Sequence, residues 1–261
     1  MPKAPRQFRS QAIILSRRDF GESDRLLTLF TPERGKIRAI AKGARKPGAK
    51  LSGHVELFAR SDLMIHRGRN LDIISQAELV EPYLGLREDL RRSAYANYVA
   101  ELLDRFTADE DVSQSALFDL LHLTLGRVAD AADPRLATRY YELHLLDLVG
   151  FRPELTACVL TRAELLPEAQ FFSNEEGGAV SRAAAAGMGS ALVSLEIETL
   201  KILRHLQRSA GDYDQVASLR LSPGQHSDVE RILLGYITHL LESKLQSVDF
   251  IRRVRRTAPA P

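Results

Sequence analysis

The chain has 261 residues, enough for one large domain or two smaller domains with hydrophobic cores. Its 44% hydrophobic and 27% charged residues are typical of a globular protein, and no apolar run approaches the ~20 residues of a membrane helix, so we expect no membrane partner. A single cysteine excludes an internal disulfide framework, and the first residues lack the apolar segment of a signal peptide, so we expect a cytoplasmic protein.

Charge is divided unevenly along the chain. Residues 1–80 contain 16 Lys and Arg against 8 Asp and Glu, a net charge of +8, whereas the remainder contains 20 against 26, a net charge of −6. A basic first part joined to a mildly acidic remainder predicts that the first part binds a polyanion. A charged surface with no ligand is the alternative.

The first eighty residues predict five short β-strands. Lys36–Lys42 alternates so that Ile37, Ala39 and Ala41 share one face and the charged residues lie on the other. The other strands are predicted at 11–15, 25–31, 55–67 and 71–80, with a hairpin turn at 68–70. Five short strands favour a small closed barrel, of the OB-fold or the SH3-like type.

Five later segments have the period of amphipathic helices. The clearest apolar stripe runs from Tyr95 to Phe106 at helical spacing, and a second helix follows a cap at Ser113. A third begins at the cap Asp133 with Pro134 at its first position. Further stripes lie at 192–206 and 229–240. These five helices predict a bundle, interrupted at 151–189 by a poorly periodic segment that we expect to be functional, a small subdomain or its remnant.

No motif for catalysis is found. The stretch Gly43–Lys50 lacks the spacing of a phosphate-binding loop, and Cys158 has no recognisable His and acid partners. Acidic residues 109–111 are predicted to lie in a solvated loop between helices. A nuclease needs clustered carboxylates for metal ions, and the basic part supplies few. The sequence therefore predicts a protein that is not an enzyme and has no cofactor.

Cationic residues instead dominate the predicted third strand and the glycine-rich loop after it, which we expect to be mobile. The candidate DNA-binding residues are Arg17, Arg25, Arg34, Lys36, Arg38, Lys42, Arg45, Lys46 and Lys50. Arg18 adds charge in a neighbouring segment. Phosphates along a nucleic-acid backbone match such a surface. Aromatic residues are sparse before Tyr83, so we expect binding to be electrostatic and tolerant of base sequence.

One long stretch resembles a known family. Residues Arg17–Lys46, RRDFGESDRLLTLFTPERGKIRAIAKGARK, are similar to the N-terminal signature of the RecO family of DNA repair proteins. The similarity continues through the segments 77–83, 139–155, 171–178 and 245–251, so it covers nearly the whole chain.

The resemblance implies an α+β multidomain fold. It predicts an N-terminal OB-fold DNA-binding domain at 1–82, a helical domain in two parts at 83–150 and 190–251, a zinc-finger-like insert at 151–189 and a basic, flexible tail at 252–261. It also implies that Gly21 and Asp24 shape the first turn. The tail contains four arginines, and an auxiliary DNA contact is the alternative to a solvated terminus.

The resemblance also implies a function without catalysis. RecO-like proteins bind single- and double-stranded DNA, anneal complementary strands and act with RecR to help load RecA on strands covered by single-stranded-DNA-binding protein, in the RecF pathway. The implied partners are therefore DNA, RecR and the C-terminal tail of single-stranded-DNA-binding protein, with RecF and RecA beyond them, and the implied location is the nucleoid in the cytoplasm. A protein-interaction module that docks acidic protein tails on its basic face is the alternative.

The insert departs from the zinc-binding pattern of the family. Cys158 keeps the first ligand position, but Thr161, Ser181 and Ala184 occupy the other three. Structural zinc needs four thiolate or imidazole ligands in a tetrahedron. We therefore predict that the insert lacks metal ligands, binds no metal and is held together by packing.

Overall fold

The computed structural model describes residues 6–109, 114–187 and 192–257. Two compact units are present. One is built from the residues up to Asp130 together with those from Ser247 onward, and the other from Ala131–Gln246. No described helix is both long and apolar enough to cross a membrane.

A closed five-stranded barrel forms the start of the first unit. Its strands are β1 (Gln7–Phe20), β2 (Asp24–Thr31), β3 (Gly35–Ala41), β4 (Arg60–His66) and β5 (Asp72–Glu81). They close in the order β1-β2-β3-β5-β4, and only β3 and β5 pair in parallel. This five-stranded barrel is the OB-fold, so the predicted fold class, an OB-fold barrel followed by helices, is confirmed.

The barrel core follows the predicted alternation of β3. Ile37, Ala39 and Ala41 are at most 4% exposed and pack inside the barrel with Leu27 and Leu29 of β2. Lys36 and Arg38 lie on the opposite, outer face because successive side chains in a strand point to opposite sides.

Nine helices follow in the described part of the chain. They are α1 (Gly85–Glu88), α2 (Leu90–Phe106), α3 (Ser115–Asp130), α4 (Pro134–Leu148), α5 (Arg182–Ala185), α6 (Ile197–Arg208), α7 (Asp214–Ala217), α8 (Pro223–Leu241) and α9 (Gln246–Thr257). The five predicted helices correspond to α2, α3, α4, α6 and α8. Of the others, α1, α5 and α7 have four residues each, and α9 has a narrow apolar stripe among many arginines.

Helices α1–α3 belong to the same compact unit as the barrel, a grouping that differs from the predicted boundary near residue 82. Asp89 caps α2 by accepting hydrogen bonds from the backbone N–H groups of Arg91 and Arg92, and the apolar stripe of α2 packs against α3 and β1. The backbone N–H of Gln114 donates to the carbonyl of Pro32 in the β2–β3 turn, at 2.9 Å, which ties the start of α3 to the barrel.

Helix α9 corrects the expectation of a flexible tail as far as Thr257. Ile251 and Val254 are each 6% exposed, and Ser247 donates a hydrogen bond to the Glu101 carboxylate on α2. The guanidinium of Arg255 donates to the hydroxyl of Tyr95 at 2.9 Å. A narrow apolar stripe among many arginines is enough to hold this helix to α2, although it is too short to stand out in the sequence.

The second unit contains α4–α8 and a small sheet. The predicted cap of α4 is present, because Asp133 accepts a hydrogen bond from the backbone N–H of Arg135 and Pro134 occupies the first turn. Ser222 and Gln225 form a reciprocal capping box at the start of α8, with Pro223 in the first turn. Helices α4, α6 and α8 pack against one another.

The predicted insert contributes most of that small sheet. Strands β6 (Gln170–Ser173), β7 (Gly178–Val180) and β8 (Val193–Leu195) pair in the order β7-β6-β8. A Cβ atom at Gly178 would lie 2.5 Å from the carbonyl oxygen of Glu154, so only glycine permits this approach of the two backbones.

Some predictions fall outside the described residues. These are the cap at Ser113, the acidic residues Glu110 and Asp111, and the last four residues of the tail, 258–261.

Candidate nucleic-acid interface

The turn between β1 and β2 fixes the start of the basic loop after β3. The carboxylate of Asp24 accepts a hydrogen bond from the backbone N–H of Gly43 at 2.7 Å, and the carbonyl of Ser23 accepts one from the backbone N–H of Arg45 at 2.9 Å. Gly43 has φ +66°, a conformation that favours glycine. Gly21 also has a positive φ, so Gly21 and Asp24 have the geometric roles that the family resemblance implies.

The basic loop, which the sequence predicts to be mobile, is a succession of hydrogen-bonded turns. Backbone N–H groups of Lys46 and Ala49 donate to carbonyls three residues earlier, at 3.0 and 3.1 Å. Ala44 is fully buried in the barrel core and anchors the loop between its cationic neighbours. The side chains of Lys42, Arg45, Lys46 and Lys50 are therefore presented from a defined backbone.

Near the β1–β2 turn, the outer side of β1, β2 and β3 is exposed or half-buried in the described part of the chain, and we call this surface the open face. The register aligns Ser16 with Thr28 and Arg38, then Arg18 with Leu26 and Ile40, and finally Phe20 with Asp24. Lys42 is exposed one residue beyond the end of β3, and continuing the alternation of β3 by one step would set it on the same side. The open face therefore consists of Ser16, Arg18, Phe20, Asp24, Leu26, Thr28, Arg38, Ile40 and Lys42, and the loop cations lie immediately beyond it.

Most cations of the open face and the basic loop are available to a ligand. Arg18, Lys42, Lys46 and Lys50 are exposed, and none of the four forms an ion pair with a described residue. Arg38 has a side chain 56% exposed and pairs with Asp109 at 3.3 Å. An exposed pair of this kind is weak and is readily exchanged for a phosphate.

Lys36 is the clearest correction to the predicted site. It is only 7% exposed, and its Nζ donates to the carbonyls of Asp104 and Thr107 at 2.6 and 2.8 Å. It also pairs with the carboxylates of Asp104 and Asp109 at 3.1 and 3.5 Å. The last carbonyls of a helix lack intrahelical donors and carry partial negative charge, so α2 attracts Lys36 and removes it from the surface.

Arg17 and Arg25 lie on the other side of their strands from Arg18, because they align with the core residues Leu27 and Ala41. Both guanidinium groups pair with Glu56, Arg25 at 2.9 Å. Burial acts to raise the pKa of Glu56, but the hydrogen bond from Arg25 and the charge of Arg17 outweigh it and lower the pKa below its ordinary value. These two arginines thus belong to a partly exposed ion-pair cluster around Glu56 and not to the open face.

Two further predicted cations, Arg34 and Arg45, each contact another side chain. The guanidinium of Arg34 stacks over the ring of Phe8, 4.0 Å from its centre, in the turn at the opposite end of β3. At ~3.3 Å per residue, eight residues separate it from Lys42 by about 26 Å along the strand direction. Arg45 is close to Lys42, and it pairs with Asp19 at 3.3 Å. The predicted set is therefore not one contiguous patch.

The structure adds two residues that the sequence reasoning left out of the site. The sequence predicts Arg18 only as additional charge in a neighbouring segment and assigns no role to Phe20, yet both lie on the open face. Their alternation with Asp19 in the segment Arg18–Phe20 was the available signal. The predicted first strand ends at residue 15, five residues short of the end of β1.

The four ligand positions of the insert do not fit zinc. The backbone N–H of Ser181 donates to Sγ of Cys158 at 3.3 Å, and the hydroxyl of Ser181 accepts from the backbone N–H of Ala184. Burial acts to raise the pKa of the Cys158 thiol, but hydrogen bonds from Ser181 and Thr161 lower it to about 6. One sulfur surrounded by N–H and hydroxyl groups cannot replace the four thiolate or imidazole ligands of a structural zinc.

The described residues contain no group of three or more His, Cys, Asp or Glu arranged to hold a metal ion. The arrangement that remains is a sheet face and a loop with exposed cations, which can neutralise phosphate charge. Its geometry alone does not identify a function, because one fold supports many functions.

Comparison with known proteins gives the family. A model described as Recombination protein O N terminal matches residues 5–83, and one described as Recombination protein O C terminal matches residues 87–249. The chain belongs to the RecO family. A DNA repair protein RecO from Roseiflexus sp. (strain RS-1) is 39% identical over 251 residues, covering 96% of this chain and 87% of the relative.

Other RecO relatives match over a similar length. The DNA repair protein RecO of Desulforamulus reducens is 34% identical, covering 96% of each chain, and that of Dehalococcoides mccartyi (strain ATCC BAA-2266 / KCTC 15142 / 195) is 32% identical, covering 97% of this chain and 98% of the relative. Membership of the RecO family supports a function in DNA repair and recombination.

Proposed function

We propose that this RecO family member is a non-enzymatic DNA-binding and strand-annealing mediator of recombinational repair, and that the open face and the basic loop bind the DNA backbone. The observation that carries the proposal is the set of exposed cations around Lys42 on an OB-fold barrel. The site residues are Arg18, Arg38, Lys42, Arg45, Lys46 and Lys50.

Annealing requires two strands to approach despite the repulsion between their phosphates. A surface that neutralises backbone charge and releases counterions lowers this barrier, and no nucleotide hydrolysis is needed. The exposed cations on the fixed backbone of the basic loop suit this task, because they reach phosphates without contacting base edges. Contacts of this type position a strand but carry no sequence information.

The proposed partners follow from the family resemblance. They are single- and double-stranded DNA, RecR and the C-terminal tail of single-stranded-DNA-binding protein, with RecF and RecA acting in the same pathway. The protein would help RecR to load RecA on single strands covered by single-stranded-DNA-binding protein, in the cytoplasm at the nucleoid. An acidic protein tail and DNA can compete for one cationic face, so mutual exclusion of tail peptide and oligonucleotide would assign both to the open face.

Charge reversal of the open face tests the proposal. The variant R38E/K42E/K46E changes three exposed cations, and R182E/R208E/R220E is a matched control that changes the net charge equally in the second unit. At ~1 kcal/mol for each close charge pair in water, we expect the first variant to bind single-stranded DNA about 100-fold more weakly and to anneal strands correspondingly slowly.

Salt dependence supplies the second measurement. With about five phosphate contacts, the logarithm of the binding constant should fall against the logarithm of salt concentration with a slope near −3.5, and R38E/K42E/K46E should reduce the slope by about 2. Equal losses in the control variant, or a slope near zero in the unaltered protein, would contradict the proposal. Circular dichroism establishes that both variants are folded.

A further inference from the structure

The barrel contains four aromatic side chains from Phe residues, and three of them are buried or covered by another side chain. Phe30 is fully buried and Phe58 is 3% exposed. One side of the Phe8 ring is covered by the guanidinium of Arg34 at 4.0 Å. Phe20 differs from them, because 45% of it is exposed.

Phe20 lies within the cations of the open face. It aligns with Asp24 in the last rung of the β1–β2 ladder, and Arg18 precedes it by two residues on the same side of the strand, about 7 Å away. Extending the β2–β3 register one step beyond its last pair, Arg25 and Ala41, would set Lys42 opposite Asp24, two strands across from Phe20 and about 10 Å away at the usual strand spacing. The ring of Phe20 is therefore within reach of a nucleotide whose phosphates contact Arg18 and Lys42.

The same face carries aliphatic surface. Leu26 and Ile40 are half-buried and occupy the rung next to Phe20, between Arg18 and Lys42. Cations alone attract phosphate, whereas cations mixed with an aromatic ring and aliphatic groups suit a ligand that is anionic along its backbone and apolar on its exposed bases. A single-stranded nucleic acid has both properties, and a duplex hides its base faces in the stack.

We propose that Phe20 is a stacking platform for an unpaired base and gives the open face a preference for single-stranded over double-stranded DNA. This inference rests on the proposed function, because it assumes that the open face binds DNA. The sequence predicts purely electrostatic binding, and this inference adds base stacking at Phe20. Stacking remains tolerant of sequence, because every base has a π-face.

A fluorescent reporter tests the contact directly. The chain contains no tryptophan, so F20W introduces a single one at the proposed platform. Oligothymidylate should quench and shift the emission of this tryptophan in a saturable manner, at a concentration that matches binding measured by anisotropy. An abasic strand of equal length, which supplies phosphates but no bases, should bind without that quenching.

Affinities of two further variants separate stacking from apolar contact. F20A and F20L should each bind oligothymidylate about tenfold more weakly, because base–aromatic stacking requires a ring. Both should bind the abasic strand and a hairpin duplex as tightly as the unaltered protein. The exposure of Phe20 favours folding of both variants, and thermal unfolding measured by circular dichroism confirms it.

The outcomes distinguish this inference from the proposed function. If F20A weakens binding to all three ligands equally or to none, if F20L binds oligothymidylate like the unaltered protein, or if the tryptophan emission of F20W is insensitive to it, the stacking role is refuted. Binding that still depends on salt and on Arg38, Lys42 and Lys46 would then leave the proposed function standing. If R38E/K42E/K46E has no effect, the proposed function itself fails.

Discussion

The two ends of β3 carry cations on the same outer face but have opposite surroundings. At one end Lys36 is 7% exposed and hydrogen-bonded to the last carbonyls of α2, whereas at the other end Lys42 is exposed with no ion pair to a described residue. Asp109 lies at the border, because it pairs with both Lys36 and Arg38. Charge on a strand therefore predicts a ligand surface only where no other element covers that strand.

The largest expected effect comes from the covered end. K36M removes a nearly buried charged donor from two carbonyls in part-buried hydrogen bonds, and we expect it to lower the free energy of unfolding by about 2–3 kcal/mol. R38M on the same face is the matched control, and a change within about 0.5 kcal/mol is expected there. Urea unfolding of both variants measures this difference, and a similar loss of unfolding free energy in K36M and R38M would contradict it.

Helix α9 carries a third group of cations, whose effect on DNA binding can be compared with that of the cations at the two ends of β3. Arg253 and Arg256 are exposed one turn apart, while Ile251 and Val254 hold the opposite side of the helix. We expect R253E/R256E to weaken binding to single-stranded DNA by about three- to tenfold, less than reversal of the open face, because two charges are changed and not three. Anisotropy titration measures this, and unchanged affinity would show that α9 does not contact DNA.

Glu56 provides a pH-dependent test of its ion pairs with Arg17 and Arg25. E56Q should lower the free energy of unfolding by about 1 kcal/mol at pH 7, because Arg17 and Arg25 lose their partner. The pKa of Glu56 is lowered in the folded protein, so its contribution is complete above the ordinary value of 4.5 and disappears as pH falls through the lower folded value. Stability curves of E56Q and the unaltered protein should therefore begin to converge as pH falls below 4.5, whereas a constant difference would contradict the pairing.

The smallest expected effect comes from Asp109, which pairs with both Lys36 and Arg38. D109N releases Arg38 from its exposed pair while Lys36 keeps Asp104 and its two carbonyls. We expect affinity for single-stranded DNA to rise about twofold, with a salt slope steeper by up to about 0.7, because one more cation is free to contact phosphate. Titration across a range of salt concentrations measures both quantities, and a loss of affinity would place Asp109 among the binding residues.

Local patterns predicted much of the fold. The alternation of Ile37, Ala39 and Ala41 with charged residues predicted the inner and outer faces of β3, and Asp133 with Pro134 predicted the start of α4. These predictions succeeded because strand alternation and helix capping depend on residues within a few positions of each other. The excess of positive charge in the first eighty residues was also visible in the sequence.

Which cations remain on the surface depends on tertiary contacts between segments that are distant in the sequence. Lys36 is hydrogen-bonded to Asp104 and Thr107, 68 and 71 residues further along the chain, and no local period reveals that contact. The pairing of β1 with β2 likewise placed Arg18 and Phe20 beside Lys42 and turned Arg17 and Arg25 towards Glu56. Composition and periodicity determine how much charge a strand carries and on which side, whereas exposure depends on distant segments that cover that side.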